Sequence, residues 1–81
     1  MRCRIYNGPL HVVPSFDGII NEKEDLLNLG ILPSLSYYVY FGNPREVTLN
    51  TLTGKSLLDR LNENKDINEV VITPLIDETL N

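Results

Sequence analysis

The stretch NEVVITPL, residues 68–75, indicates how the fold is organised. Its apolar residues Val70, Val71 and Ile72 follow one another without the alternation of apolar and polar residues that marks a half-buried strand. A strand with this pattern is typically buried on both faces, as a central strand of a sheet is. We therefore expect the last strand of the chain to lie in the middle of its sheet.

The start of the chain has the pattern of a β-hairpin. Residues 2–6 and 10–13 flank Asn7-Gly8, a dipeptide that favours a tight two-residue turn. Such a turn pairs Arg4 with His11. In that register, one face of the hairpin carries Cys3, Ile5, Leu10 and Val12, and the other carries Arg2, Arg4, Tyr6 and His11.

Residues 21–31, NEKEDLLNLGI, predict a short helix. Asn21 and Glu24 have the spacing of a capping box, in which each side chain bonds to the other residue's backbone N–H. Gly30 suits the left-handed conformation that often follows a helix, and Pro33 prevents the helix from continuing.

Two further strands are predicted from SLSYYVYF, residues 34–41, and EVTLNT, residues 46–51. The first is rich in aromatic residues, and the second alternates apolar with polar residues. The register we favour directs Val39, Phe41, Val47 and Leu49 to the core. It leaves Tyr38 and Tyr40 on the outer face beside Thr48 and Asn50.

Residues 53–56, Thr-Gly-Lys-Ser, match the end of the phosphate-binding loop G-x-x-x-x-G-K-[ST]. The first glycine of that motif falls on Leu49, within a predicted strand. Thr53 is instead a good N-cap for a second helix over about residues 54–64, with Leu52 and Leu57 placed as a hydrophobic staple.

The sequence thus predicts a small α+β domain over residues 1–81, with residues 77–81 frayed. Its single-layer mixed sheet of about five strands carries one or two short helices, in the order β-β-α-β-β-α-β. This order, with a buried last strand, is similar to the β-grasp arrangement of ubiquitin-like domains. The resemblance implies that the last strand lies beside the first and that one sheet face stays open. Residues 77–81 lack a Gly-Gly ending, so we expect no conjugation role.

The residues that usually carry chemistry are sparse. The chain has one cysteine and one histidine, and the predicted hairpin places Cys3 and His11 on opposite faces, so they cannot form a nucleophile pair. Two such residues cannot build a structural zinc site, and Cys3 is expected to be a small buried apolar residue. We expect no catalytic residue, no metal and no cofactor, and therefore no enzyme activity.

Charge and cysteine content narrow the class of protein further. The net charge of the 81 residues is −4, and the excess acidic residues lie in residues 59–81. We therefore expect no direct nucleic-acid binding, because phosphates repel such a protein. A single cysteine and the lack of a membrane-length apolar run predict a cytoplasmic protein.

The remaining candidate site is the outer face of the sheet. Its predicted partner-binding residues are Arg2, Arg4, Tyr6, His11, Tyr38 and Tyr40. Tyrosine and arginine are the residue types most enriched at interface hot spots. They predict a protein-binding module that acts as an inhibitor or adaptor by occupying a partner's surface, of the kind that phages and mobile elements encode. Three alternatives stay open: an ordinary solvated face, a binder of a small anionic ligand, as a monomer or an oligomer, and a weak nucleic-acid mimic using the acidic residues 59–81.

Overall fold

The computed structural model describes residues 1–8, 12–42, 47–63 and 66–75, and of Val47 and Thr48 it describes the backbone. The described chain forms a five-stranded sheet and two helices. The strands are β1 (Arg2–Ile5), β2 (Phe16–Ile19), β3 (Ser36–Gly42), β4 (Val47–Thr53) and β5 (Glu69–Pro74); the helices are α1 (Asp25–Asn28) and α2 (Gly54–Glu63).

The strands lie in the order β2-β1-β5-β3-β4. The last strand is central, as predicted, and it pairs with β1 in parallel and with β3 in antiparallel orientation. The two outer pairs, β1 with β2 and β3 with β4, are antiparallel. The result is a mixed sheet in a small α+β fold, with the first and last strands side by side.

The residues of β5 alternate in burial. Val70 and Ile72 are fully buried on the helix side, whereas Val71 and Thr73 are half-buried on the opposite side. Burial on both faces, expected from the unbroken apolar run, is therefore only partly observed. Neighbouring strands shield Val71 from both sides, but the described helices contribute their buried residues to the other face.

The core lies between the sheet and the two helices. Its buried residues are Cys3, Ile5, Ile20, Leu26, Ile31, Tyr37, Val39, Phe41, Leu57, Leu61, Val70 and Ile72. Tyr37 is 2% exposed, and its hydroxyl oxygen accepts a hydrogen bond of 2.9 Å from the backbone N–H of Leu32. The guanidinium carbon of Arg60 lies 5.8 Å from the ring centre of Phe41.

The predicted position of the second strand, residues 10–13, was wrong. Residues 9–11, which include Leu10 and His11, lie outside the described residues, but Val12 and Val13 are 89% and 73% exposed and belong to no strand. The strand beside β1 is β2, in which Gly18 pairs with Cys3. Asp17 and Gly18 therefore lie inside this strand. Gly18 has no Cβ, which leaves room for the ring of Phe16: a Cβ at Gly18 would lie 3.1 Å from the tip of that ring.

The favoured register of β3 and β4 was wrong by one residue. Val39 and Phe41 face the core as predicted, but they pair with Asn50 and Thr48. Leu49 pairs with Tyr40 and is 69% exposed on the outer face, and Val47 pairs with Gly42. Leu52 determines this outcome: it packs against the core, and the two-residue period of a strand then turns Leu49 outward.

Helix α1 ends as predicted but begins differently. Gly30 has φ +99°, and the N–H groups of Gly30 and Ile31 bond to the carbonyl oxygens of Leu27 and Leu26, which is the Schellman arrangement. At the other end no side chain of Asn21 or Glu24 forms the predicted capping box. The Asp25 carboxylate instead accepts the N–H groups of residues 21 and 22.

Candidate functional site

The side of the sheet opposite the helices is called the open face below. The alternation of side chains along each strand and the observed registers define the set of residues that lie on this face. This set comprises Arg2, Arg4, Asp17, Ile19, Tyr38, Tyr40, Leu49, Thr51, Glu69, Val71 and Thr73. The chain thus presents a surface with one charged half, on β2, β1 and the start of β5, and one aromatic and apolar half, centred on β3.

The aromatic half of the open face includes Val71 on β5, Tyr38 and Tyr40 on β3 and Leu49 on β4. Tyr40 lies between Val71 on one side and Leu49 on the other. Tyr38 lies two residues before Tyr40 on the same face of β3 and is 44% exposed. Directly opposed residues of an antiparallel pair are close enough to contact each other, so Tyr40 adjoins both Val71 and Leu49, and this half of the open face is mainly aromatic and apolar.

Two ion pairs lie among the described residues of the charged half. The guanidinium group of Arg2 lies 3.2 Å from the carboxylate of Asp17, and that of Arg4 lies 3.5 Å from the carboxylate of Glu69. The side chains of Arg4 and Glu69 are 33% and 30% exposed, so this pair is partly sheltered from solvent. Arg2 and Arg4 therefore each have an acidic neighbour within the chain.

Four of the six predicted partner-binding residues, Arg2, Arg4, Tyr38 and Tyr40, share the open face. Tyr6 follows β1, is half-buried and donates its backbone N–H to the carbonyl oxygen of Ile72 at 2.9 Å. His11 lies outside the described residues.

Three apolar members of the open face were not predicted as site residues: Ile19, Leu49 and Val71. A signal for Leu49 was present in the sequence. The hydrophobic staple places Leu52 against the core, and a strand that turns residue 52 inward must turn residue 49 outward. Ile19 could not be found in this way, because its strand was predicted in the wrong place.

The Thr-Gly-Lys-Ser segment uses its amides internally. Thr53 caps α2 as predicted: its Oγ1 accepts the N–H of Ser56 at 3.1 Å. The N–H of Gly54 donates to the carbonyl oxygen of Leu35 at 2.9 Å, and that of Lys55 to Pro33 at 3.1 Å. A phosphate cradle needs several free amides that point into one concavity, and these three are already bonded.

Cys3 has the environment of a structural thiol. It is 0% exposed, between Gly18 on β2 and Val70 on β5. Burial, with a smaller contribution from the charge of Asp17, raises the pKa of the Cys3 thiol to about 11. Such a thiol is protonated at neutral pH, and the protonated form is a poor nucleophile.

Within the part of the chain that the structure describes, no three His, Cys, Asp or Glu residues are grouped so as to hold a metal ion, and no helix is long and apolar enough to cross a membrane. No family model matches the sequence, and neither a curated protein nor a solved structure matches the chain. Any inference about function therefore rests on the geometry of the open face.

Proposed function

We propose that the chain is a cytoplasmic protein-binding module, an inhibitor or adaptor that places its open face on the surface of a partner protein. The observation that carries this proposal is the band formed by Tyr38, Tyr40 and Leu49, of which Leu49 is 69% and Tyr38 is 44% exposed. These side chains project from one face of the sheet, whereas the core lies on the other face. They are therefore not needed to form the core.

The composition of the band suits a protein partner. Tyrosine offers a large apolar ring and a polar tip, and it loses little conformational freedom when it is bound. Tyr40 is held between Val71 and Leu49 by the register of three strands, so its ring is positioned before binding. Such preorganised aromatic anchors commonly carry most of the binding energy of an interface.

The charged half of the open face would form the rim of this interface. Arg2 and Arg4 are paired with Asp17 and Glu69, so the rim presents both signs of charge. Rim charges select partners and accelerate association more than they add affinity. The same pairing weighs against the alternative of a small anionic ligand, because both guanidinium groups already have a carboxylate beside them.

The nucleic-acid mimic is also less well supported than a protein-binding face. A mimic needs its carboxylates aligned on one surface. Glu69 lies on the open face and is paired with Arg4, whereas Asp59 lies on α2 in the helix layer, 3.9 Å from Lys55. The acidic residues of this part of the chain therefore do not all share one side of the sheet.

The proposal is tested by affinity capture from the native host, with three immobilised proteins. The wild-type chain and a Lys55→Ala control, altered in the helix layer, should both enrich the same partner protein. A Tyr38→Ala, Tyr40→Ala double variant with an unchanged circular dichroism spectrum should lose that partner. Equal recovery of the partner by all three proteins would exclude the band of Tyr38, Tyr40 and Leu49 as the binding surface.

A further inference from the structure

Strand β4 forms one edge of the sheet, and within the described residues it pairs with β3 alone. Its sequence, VTLNTLT, contains neither a charged residue nor proline over seven residues. Natural edge strands usually carry such residues, because an unprotected edge pairs with other strands. The opposite edge, β2, is only four residues long and carries Asp17, so β4 is the less protected edge.

The pattern of backbone hydrogen bonds between β3 and β4 shows which backbone groups of β4 face outward. Ser36 pairs with Thr53, and the next N–H, that of Gly54, donates to the carbonyl oxygen of Leu35. In an antiparallel ladder alternate residues bond to the same neighbour, so the even-numbered residues of β4 bond to β3. The outward N–H and C=O groups therefore belong to the odd-numbered residues, among them Leu49 and Thr51.

We propose that two copies of the chain pair through β4 in antiparallel orientation, with the two-fold axis at Asn50. Asn50 is the middle residue of β4, so this register aligns all seven residues of both strands. Leu49 of each copy lies opposite Thr51 of the other. The outward N–H and C=O groups of these two residues form the backbone hydrogen bonds between the copies. Ten strands then form one continuous sheet, with both open faces on the same side.

Asn50 favours a second copy as the occupant. Its side chain lies on the helix side of the sheet beside Val39, and its Nδ2 is buried without a hydrogen-bond partner. A buried amide without a partner is unfavourable. In the proposed register Asn50 faces Asn50 of the second copy as a non-hydrogen-bonded pair, where side chains approach most closely. The Nδ2 is closed to solvent in the single chain, so this pairing requires the amide to turn towards the edge of β4. Each amide can then donate to the side-chain oxygen of Asn50 in the other copy.

Leu49 gives a second reason for self-association. The Leu49 side chains of the two copies become diagonal neighbours on the open face, within reach of each other. Their contact covers part of a side chain that is 69% exposed in the single chain. The strand is uncharged, so no like charges of the two copies oppose each other along it.

The association is tested by sedimentation equilibrium on the protein alone, over a wide concentration range. The wild-type chain of 9.2 kDa should approach twice that mass as its concentration rises. Leu49→Lys should weaken dimerisation roughly tenfold, because the residue contributes twice across the two-fold axis. Ile19→Lys is the matched control: it places the same charge at an open-face site of similar exposure, 67%, on the opposite edge strand, and should dimerise like wild type.

The register is tested by oxidation of single-cysteine additions. Asn50→Cys should form a disulfide-linked dimer rapidly, because identical residues meet at the two-fold axis, whereas Thr51→Cys should do so slowly. The wild-type chain controls for Cys3, which is buried. A wild-type chain that stays monomeric at all concentrations, loss of the dimer on Ile19→Lys instead of Leu49→Lys, or faster linkage through Thr51→Cys would overturn the proposal. These measurements contain no partner protein, so they are independent of the proposed function.

Discussion

Tyr40 lies directly opposite Leu49 on the open face, one residue away from the pairing that alternation in β4 favoured. This register brings a leucine that was expected in the core to the surface, where it is 69% exposed. It also places Asn50 on the helix side, beside Val39. The consequence is an open face that is more apolar at β4, and a core edge that is more polar, than the sequence suggests.

The two adjacent tyrosines Tyr37 and Tyr38 should respond differently to loss of the hydroxyl group. Tyr37→Phe leaves the N–H of Leu32 without its acceptor, which should lower the free energy of unfolding by about 1–2 kcal/mol. Tyr38→Phe alters a side chain on the open face and should change it by less than about 0.5 kcal/mol. Urea denaturation of both variants measures this difference. Equal losses would show that the two faces of β3 are assigned wrongly.

Gly54 should not tolerate a side chain. A Cβ at this position would overlap the carbonyl group of Leu32 and crowd Pro33, both of which are backbone atoms that cannot rotate away. Gly54→Ala should therefore lower the free energy of unfolding by about 1–3 kcal/mol. Gly42→Ala is the control, because its Cβ would meet Glu69 at an ordinary contact distance of 3.4 Å. A Gly54→Ala variant as stable as Gly42→Ala would contradict the close approach of α2 to residues 32 and 33.

The cap of α2 should contribute to stability without binding a nucleotide. Thr53→Ala removes the acceptor of the Ser56 N–H and should cost about 1 kcal/mol, whereas Thr53→Ser, which keeps the hydroxyl group, should cost less. ATP or GTP should leave the melting temperature of the wild-type chain unchanged in thermal denaturation. A rise of several degrees that Lys55→Ala abolishes would show that these amides bind phosphate after all.

Cys3 should make stability fall in alkaline solution. The thiol is protonated in both states below its ordinary pKa of 9.0, and burial raises its pKa in the folded chain to about 11. Between these values the thiol ionises only in the unfolded chain, which favours unfolding by up to ~2–3 kcal/mol as the pH rises. Urea denaturation from pH 8 to about pH 11 measures the fall, and Cys3→Ala should show a shallower one. Equal slopes, or rapid labelling of the native thiol by a maleimide, would contradict the burial of Cys3.

The local signals in the sequence predicted part of this structure. The cap at Thr53, the left-handed conformation of Gly30 after α1 and the central place of β5 follow from local patterns in the sequence, and all three are present. The position of β2 did not follow, because Asn7-Gly8 is a strong turn signal while the advantage of Phe16 over Val12 arises only in the folded core. Pairing partners depend on such long-range contacts.

The same limit applies to the candidate site. Arg2, Arg4, Tyr38 and Tyr40 were assigned to the open face from alternation within each strand, and the structure places them there. Their neighbours depend on how strands pair. The ion pairs with Asp17 and Glu69, and the exposure of Leu49, therefore became visible only with the registers.

The most direct test of the proposed open-face interface is methyl NMR of the chain, titrated with the partner obtained by affinity capture. Val70 and Val71 are adjacent in β5 but lie on opposite faces, so they form an internal control. If the partner binds the open face, the methyl signals of Leu49 and Val71 should shift or broaden on binding, while those of Val70 and Leu57 in the core keep their positions. Perturbation confined to signals of the helix layer, such as Leu58, with Leu49 and Val71 unchanged, would contradict it.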